Sequence, residues 1–342
     1  MTDFTQTLYK FIGPRIIKTG IATLITAFIC VWLDLPAIFA VITAIVSIDP
    51  TSYDSINKAK VRFPASVIGS LIAVSSAYFF KESALTYSLS ATLTILICHK
   101  LKLNEGILVA AITSVAMIPD IHDEFVHTFV TRLFTTTLGI VVASSINFIV
   151  LPPVYYGNIN DSIRKFEHAM RTLLTKRTDE LINYKYISKD SEQMYNQLYK
   201  HLNNIEKYMH YQQNEIKYHI TKREDLRKLN HLQNELQYKK LLITHIGNLI
   251  FLPNEIDIKW DQKEKDALKA IMKSTNSLHT DTHYNCQQSL ETLHHLKFDH
   301  SRPNEIFKID ILHEMEIIYR MLHSYYTKRN KQATKQSHIS SY

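Results

Sequence analysis

The chain has 342 residues, which is enough for two domains of ordinary size. Its net charge is +7, but residues 1–150 hold only 10 of the 39 Lys/Arg and 9 of the 32 Asp/Glu. This uneven division of charge argues against a soluble two-domain enzyme, and the three cysteines form no pattern that suggests a disulfide framework.

Six uncharged, apolar runs follow one another in the first half of the chain. They are 19–33, 35–48, 63–80, 83–99, 106–119 and 133–151. At about 1.5 Å per helical residue, the longer runs span about 27 Å, close to the hydrocarbon thickness of a bilayer. Since a backbone in hydrocarbon must satisfy its own hydrogen bonds, the six runs are predicted to be membrane-spanning helices.

The basic residues between the runs predict the orientation of these helices. One set of joints carries Lys10, Arg15, Lys18, Lys58, Lys60, Arg62, Lys100 and Lys102, and Arg164 and Lys165 follow the sixth run. The opposite joints contain Lys81 and no arginine. The positive-inside rule therefore places both termini in the cytoplasm of a multi-pass cell-membrane protein.

The first half also repeats itself at an offset of 70 residues. Ten residues have an identical partner 70 positions later: Ile25, Leu33, Ala40, Ile42, Thr43, Ile48, Arg62, Gly69, Ala73 and Ser75. The units, about 16–80 and 85–151, have three spans each, so the second is predicted to be inverted, as in many secondary transporters. The second spans, 35–48 and 106–119, are shorter than the bilayer is thick. Short spans at equivalent places in two repeats can mark a binding site at the middle of the membrane; alternatively, flanking polar residues reach the membrane surface and lengthen each span.

Two arginines occupy equivalent positions at the start of the third spans, Arg62 and Arg132. Arginine in a membrane needs a partner or a water-filled cavity, and guanidinium binds carboxylate bidentately. We interpret the pair as substrate-binding residues that take an anion from opposite sides of the membrane. For Arg62 the alternative is a positive-inside anchor. Gly69 and Gly139, seven residues after each arginine, are interpreted as close-packing positions.

Polar residues at the second spans extend this candidate site. Thr43 and Thr113 lie within these spans and are candidates to line the substrate path, although their hydroxyls can also bond back to the helix. Asp49 and Asp120 follow the spans and are candidate proton-coupling carboxylates, paired with the two arginines. Alternatively, Asp49 caps an amphipathic helix over 51–61, with the following proline in its first turn.

The second half has helical periodicity within a charged sequence. Leu and Met recur every three or four residues across 190–245, which predicts a helical hairpin or coiled coil. Further helices are predicted near 262–275, 284–297 and 303–328. The polar residues 328–342 are expected to be disordered. We therefore predict an all-α protein with a six-span domain over 1–154 and a cytosolic helical domain over 155–342.

The chain lacks the motifs of common enzyme classes. It has no P-loop, nucleophile elbow, His-Glu-x-x-His or paired-cysteine motif, so we expect neither an enzyme nor a cofactor. His279, His283 and Cys286 have a spacing that suits a metal, but 17 histidines make coincidence the better interpretation, and we predict no metal. Mixed charges argue against nucleic acid as a partner.

Several of these features together resemble the aromatic acid exporter family, which is related to fusaric-acid-resistance-type membrane proteins. They are residues 15–20 (RIIKTG), the short second span ending at Ile48, Asp49 and Pro50, Arg62 with Gly69, and Arg132 with Gly139. The chain is most similar to the Gram-positive branch, in which a six-span domain precedes a cytosolic helical domain, and the resemblance covers nearly the whole chain.

The resemblance implies export of small aromatic carboxylates by a secondary mechanism. Arg15 and Lys18 match the family's opening Arg-x-x-Lys-Thr motif and join the candidate substrate-binding residues, and Arg62 matches its arginine before the third span. Residues 63–66 depart from the Gly-Thr pair that is common there, so no substrate contact is carried over to them.

We therefore predict a gradient-driven exporter of small aromatic or amphipathic carboxylic acids. The predicted partners are the lipid bilayer, a small organic anion and further copies of the chain. The alternative is a non-transporting membrane scaffold or sensor that acts through residues 155–342.

Overall fold

The computed structural model describes residues 13–120, 125–150, 153–217, 223–253, 258–277, 291 and 306–339. Over these residues the chain is all-α and contains no strand, which confirms the predicted class. It divides into two compact units. The first comprises Met1–Tyr155 and His210–Lys222, and the second comprises Tyr156–Met209 and Arg223–Tyr342.

Six helices of the first unit correspond to the six apolar runs. They are α1 (Pro14–Trp32), α2 (Ala37–Ser47), α3 (Ser52–Phe80), α4 (Ala84–Lys100), α5 (Ile107–Met117) and α6 (Phe125–Ile149). Helices α1, α3 and α6 are long and apolar enough to cross a membrane. Helix α4 has 17 residues, and α2 and α5 have 11 each. Eleven residues reach about 16 Å, so the second helix of each repeat is short, as the sequence predicts.

The start of α3 differs from the prediction. Its N-cap is Thr51, whose hydroxyl accepts a hydrogen bond from the Asp54 amide at 3.0 Å. The alternative interpretation of Asp49 as a helix cap is therefore wrong, because its carboxylate faces Arg62 instead. The predicted helix over 51–61 is the beginning of a single 29-residue helix that continues through Pro64.

Two glycines allow the repeats to pack closely on each other. A Cβ atom on Gly69 of α3 would lie 2.5 Å from the carbonyl oxygen of Ala110 in α5. A Cβ atom on Gly139 of α6 would lie 2.4 Å from the carbonyl oxygen of Ala40 in α2. The third helix of each repeat thus packs on the second helix of the other, and the predicted packing role of both glycines is confirmed.

Helices α3 and α6 run antiparallel. Asn147, near the end of α6, donates to the Ser55 hydroxyl at 2.7 Å and accepts through its carbonyl from the Ser52 hydroxyl at 3.1 Å, both near the start of α3. Arg132 lies 15 residues before Asn147 on α6, which is about 22 Å along the helix axis. The two repeat-related arginines therefore lie toward opposite ends of this helix pair.

The first unit buries small hydroxyl side chains and exposes large apolar ones. The buried hydroxyl residues include Thr26, Ser66, Ser70, Ser90, Thr94, Thr135 and Thr136. Leu24, Phe28 and Trp32 of α1 are 71%, 71% and 78% exposed. A soluble protein has the reverse distribution, whereas helices surrounded by lipid pack through small residues and turn their apolar side chains outward.

The second unit is built from amphipathic helices. They are α7 (Tyr156–Ile182), most of α8 (Lys189–Ile216), α9 (Arg223–Ile250), α10 (Gln262–Ser277) and α11 (Ile306–Ile339). Its core residues include Phe166, Leu173, Leu198, Ile246, Ile271 and Leu312, all nearly inaccessible to solvent. The indole nitrogen of Trp260 donates to the Leu181 carbonyl at 2.9 Å and fixes the segment before α10 against the end of α7.

The predicted helices of the second half correspond to these elements, except that one lies outside the described residues and the last extends further than predicted. Helices α8 and α9 cover the predicted hairpin and are joined by hydrogen bonds such as Lys240 to Glu206 at 2.7 Å. The predicted helix over 284–297 lies outside the described residues, apart from residue 291. Helix α11 continues to Ile339, although the sequence predicts disorder over residues 328–342. Residues 306–339 contain no Pro or Gly, and most of 328–336 are Lys, Arg, Gln or Ala, which favour helix.

Candidate functional site

A group of polar side chains, all buried except the partly exposed Lys58, lies where α2 ends and α3 begins, and we name it the Asp49 cluster. It consists of Lys18, Asp49, Lys58, Arg62 and Asn147. Arg62 donates two hydrogen bonds to the Asp49 carboxylate, at 2.8 and 3.3 Å, and both side chains are buried. The Lys58 ammonium lies 3.2 Å from the same carboxylate. Asp49 therefore has two cationic partners, of which Arg62 is buried and Lys58 also contacts Glu105 at 3.1 Å.

Asn147 connects this cluster to the surrounding backbone. Its amide nitrogen donates to the carbonyls of Asp49 and Thr51, at 3.0 and 3.1 Å, in addition to Ser55. Its amide oxygen accepts from the Lys18 ammonium at 2.8 Å. One side chain from α6 thus fixes the backbone between α2 and α3 and orients a buried lysine of α1.

The two basic residues that match the family's opening motif have different surroundings. Lys18 is 3% exposed and belongs to the Asp49 cluster. Arg15, one turn earlier on α1, is exposed. The structure therefore brings Lys18, Asp49 and Arg62 together and leaves Arg15 outside the cluster.

A carboxylate from a distant part of the sequence reaches the start of α3. Glu215 belongs to the His210–Lys222 segment of the first unit and is 3% exposed. Its Oε1 accepts a hydrogen bond from the Ser52 amide at 2.5 Å, and its charge interacts with that of Lys18. An amide in the first turn of a helix lacks an intrahelical acceptor and attracts anions, so this is a favourable position for a carboxylate.

Arg132 lies beside a small cavity, which we name the Arg132 cavity. The guanidinium carbon lies 3.0 Å from the centroid of the Phe39 ring, an arrangement of the cation-π type. The cavity has a volume of about 280 Å³ and is lined by Pro36, Met117, His127, Thr128, Thr131, Arg132 and Thr135. It combines a buried guanidinium, hydroxyl groups and apolar surface. The side chain of Asp120, the predicted partner of Arg132, lies outside the described residues.

The two repeat-related threonines are buried within the helix bundle. Thr43 and Thr113 are 4% and 5% exposed. Thr43 faces α6, since its Cβ lies 3.0 Å from the position that a Cβ on Gly139 would occupy. Among the described residues, neither hydroxyl is bonded to Arg62 or Arg132, so the structure does not join them directly to the arginines.

A second pair of hydroxyls lies one helical turn after each arginine. Ser66 follows Arg62 on α3, and Thr136 follows Arg132 on α6, at an offset of 70 residues. Both are fully or almost fully buried, and within the described part of the chain neither hydroxyl has a hydrogen-bond partner. Because buried polar groups are normally paired, these hydroxyls are available to water or a ligand.

The second unit contains a buried ion-pair network that stabilises its fold. Arg177 is 1% exposed and donates to the Leu249 carbonyl at 2.7 Å and to Glu180 at 3.3 Å. Glu180 also accepts from the hydroxyls of Ser188 and Ser191, each at 2.7 Å. Burial alone raises the pKa of Glu180, but the hydrogen bonds and the Arg177 charge outweigh it and hold this pKa below its usual value.

A larger cavity of about 900 Å³ lies within the second unit, among α7, α9 and α11. Tyr238 and Tyr325 stack at its wall, with ring centroids 4.9 Å apart. Nearby, Lys239 lies 3.4 Å from Glu167 and 3.1 Å from Glu235, all three buried. Burial raises the pKa of Tyr238, so its phenol stays protonated over the physiological range.

Sequence reasoning did not identify Asn147 or Glu215. Asn147 had a usable signal, because a side-chain amide within an apolar run needs partners and commonly joins membrane helices. Glu215 had none, since it is one of many acidic residues in a charged helix. No group of three or more metal-ligating residues is found in the parts of the chain that the structure describes, and His279, His283 and Cys286 lie outside them.

The chain is similar to one protein-family model and to curated staphylococcal proteins. Residues 10–150 match a family model described as aromatic acid exporter family member 1. A UPF0421 protein of Staphylococcus haemolyticus is 40% identical over 325 residues, covering 94% of this chain and 98% of that protein. A UPF0421 protein of Staphylococcus aureus is 41% identical over 323 residues, covering 93% and 98%. The exporter match covers the first unit's helices, whereas the similarity to the staphylococcal proteins includes the charged second half.

Proposed function

The chain belongs to the UPF0421 proteins and to the aromatic acid exporter family, and on this premise we propose that it exports small aromatic carboxylic acids across the cell membrane. The observation that carries the proposal is the pair of buried, repeat-related arginines, Arg62 and Arg132, in a unit with three helices apolar enough to span a bilayer. A buried guanidinium binds a carboxylate strongly and with a defined orientation.

We further propose six spans arranged as two inverted repeats, with both termini in the cytoplasm. The antiparallel course of α3 and α6 and the crossed packing of Gly69 and Gly139 support this arrangement. The excess of Lys and Arg in alternate joints supports the orientation. In such proteins one repeat rocks against the other and opens a central site alternately to the two sides.

On the cytoplasmic side, the proposed binding step is an exchange of carboxylates on Arg62. Without substrate, Asp49 neutralises Arg62 through two hydrogen bonds. A substrate carboxylate takes the place of Asp49, which keeps its contact with Lys58 at 3.2 Å, a lysine that it shares with Glu105. Asp49 is the candidate proton-coupling carboxylate of this step. Thr43 and the free hydroxyl of Ser66 supply polar groups along the path.

On the outer side, Arg132 performs the equivalent step. The Arg132 cavity, about 280 Å³, is slightly smaller than the 300–1,000 Å³ typical of sites for drug-sized ligands. This volume suits a single aromatic ring with one carboxylate. Pro36 and Met117 provide apolar contacts for the ring, while Arg132, which lies over the Phe39 ring, provides the charge. Thr113 and Asp120 are the counterparts of Thr43 and Asp49 in this half.

The test is efflux of radiolabelled benzoate from proteoliposomes that contain the purified protein. We expect Arg62→Ala and Arg132→Ala each to reduce the efflux rate at least tenfold. The control is Arg164→Ala, because the Arg164 side chain is 78% exposed, lies outside the proposed spans and, among the described residues, forms its ion pair with Asp161 in the same helix. Unchanged efflux in both variants of the buried arginines contradicts the proposal.

The scaffold or sensor function is the second candidate, and the large cavity in the second unit favours it. The two functions make different predictions. If Arg132→Ala leaves benzoate efflux unchanged while removal of residues 155–342 abolishes the cellular phenotype of the protein, the scaffold function is correct. An exporter gives the opposite dependence on Arg132.

A further inference from the structure

Glu215 is an unusual group in the first unit, because it is a carboxylate from the charged half buried beside a site proposed to bind carboxylates. Its Oε1 accepts from the Ser52 amide, one of the free amides in the first turn of α3. Ser52 itself bonds through its hydroxyl to the Asn147 carbonyl, so this amide borders the Asp49 cluster. The Ser52 amide at the start of α3 is therefore bonded to a carboxylate of the protein itself.

The segment that carries Glu215 is fixed by contacts on both sides of it. Gln212 accepts a hydrogen bond from the Tyr155 amide at 2.8 Å, and the Tyr211 ring packs on Tyr155 at a centroid distance of 5.3 Å. Beyond Glu215, the Lys217 ammonium lies 4.5 Å from the centroid of the Tyr53 ring. These contacts hold Glu215 in place beside Pro50 and the start of α3. The Tyr155 hydroxyl adds to them by donating to the Pro50 carbonyl at 2.6 Å.

The charges of the region explain why a carboxylate is held there. Lys58 of the Asp49 cluster is partly exposed and is shared between Asp49 and Glu105, at 3.2 and 3.1 Å. The buried charges of the cluster are therefore two cations, Lys18 and Arg62, and one anion, Asp49. Lys18 donates to the carbonyl and amide oxygens of Asn147 and, in the described structure, to no carboxylate, while the charge of Glu215 acts on it at longer range. Without Glu215 the buried charge is more positive, and a buried excess of cations recruits an anion.

We propose that Glu215 is a resident carboxylate that closes the cytoplasmic side of the substrate site, and that a substrate carboxylate competes with it for the start of α3 and Lys18. This inference rests on the proposed export of carboxylates and adds its regulation. Residues 210–217 act as an autoinhibitory latch. The Glu215 carboxylate occupies the start of α3 at low substrate concentration and is displaced when substrate accumulates.

The first experiment measures equilibrium binding of radiolabelled benzoate to the purified, full-length protein in detergent. Glu215→Ala removes the competing carboxylate, and if the latch leaves the site free about a tenth of the time, benzoate affinity rises about tenfold. The control is Glu206→Ala on the same helix, where the side chain is exposed and pairs with Lys240 at 2.7 Å. Equal benzoate affinity in the wild type and in Glu215→Ala overturns the inference.

The second experiment keeps Glu215 in place and does not depend on the stability of a Glu215 variant. Tyr53→Cys and Lys217→Cys, combined in a background without the native cysteines, place two thiols where the segment contacts α3. We expect a short bismaleimide to cross-link the two thiols, and benzoate to reduce the cross-linked yield while benzyl alcohol, which lacks the carboxylate, does not. A yield that saturating benzoate leaves unchanged refutes the competition.

These readouts separate the latch from the transport function. Higher benzoate affinity in Glu215→Ala without efflux in any variant supports the latch and contradicts export. The opposite result is also informative. If efflux requires Arg62 and Arg132, but the wild type and Glu215→Ala have the same efflux rate and the same benzoate affinity, export is supported and the latch is contradicted.

Discussion

The crossed glycine contacts lead to a quantitative prediction for Gly139→Ala. The new Cβ would lie 2.4 Å from the Ala40 carbonyl oxygen, about 1 Å closer than an ordinary carbon–oxygen contact. Both atoms belong to helix backbones or are attached directly to them, so no side-chain rotation relieves the clash. Overpacking of this kind typically costs about 1–3 kcal/mol. We expect Gly139→Ala to lower the free energy of unfolding by that amount, and Gly69→Ala to do the same through Ala110.

The assay is thermal or denaturant-induced unfolding of the purified protein in detergent, with Gly20→Ala as the matched control. Gly20 lies on α1 with no atom within 4 Å of its added Cβ. The same substitution there is expected to stabilise the helix by about 0.5–1 kcal/mol, because alanine is the better helix former. If Gly139→Ala is as stable as Gly20→Ala, the close approach of α6 to α2 is wrong.

Three further predictions concern single buried groups. Asn147→Leu is expected to destabilise the first unit by about 3 kcal/mol or more in thermal unfolding in detergent, because each buried polar group left unpaired costs about 1–3 kcal/mol. The control is Ser75→Ala at an exposed hydroxyl, which should change stability by less than about 0.5 kcal/mol. Asp49→Asn should increase benzoate affinity, because it removes the carboxylate that competes with benzoate for Arg62; equal benzoate affinity in Asp49→Asn and the wild type would contradict the exchange of carboxylates. Since the folded-state pKa of Glu180 lies below the unfolded value of about 4.3, its stabilising contribution is present above that pH and is lost as the pH falls through the folded pKa. Trp260 fluorescence should therefore report acid unfolding that is less steep in Glu180→Gln, and an unchanged slope would contradict this assignment.

The periodic features of the sequence predicted the helical elements well. Apolar runs gave the six helices of the first unit, and the offset of 70 residues predicted the pairing of Gly69 with Gly139 as packing positions. Both features depend on local composition and on spacing along one helix, which can be read without knowing the tertiary structure. The helix start at Thr51 was missed because Asp49 and Thr51 are both good caps by residue type.

The composition of the Asp49 cluster was only partly predictable. Arg62 and Asp49 are 13 residues apart and stood out as charges beside apolar runs. Glu215, by contrast, is separated from Ser52 by 163 residues, and its role follows from the docking of a distant segment. No local pattern distinguishes it from the exposed Glu206 on the same helix, because only tertiary packing decides which acidic residue is buried.

Counterflow of benzoate in proteoliposomes tests the central claim most directly. Vesicles containing the full-length protein are loaded with unlabelled benzoate and diluted into a trace of radiolabelled benzoate, so that exchange needs no ion gradient. An exporter with a central carboxylate site is expected to accumulate label transiently, and Arg62→Ala and Arg132→Ala should abolish this accumulation. Uptake by the wild type no greater than in protein-free vesicles would contradict the account.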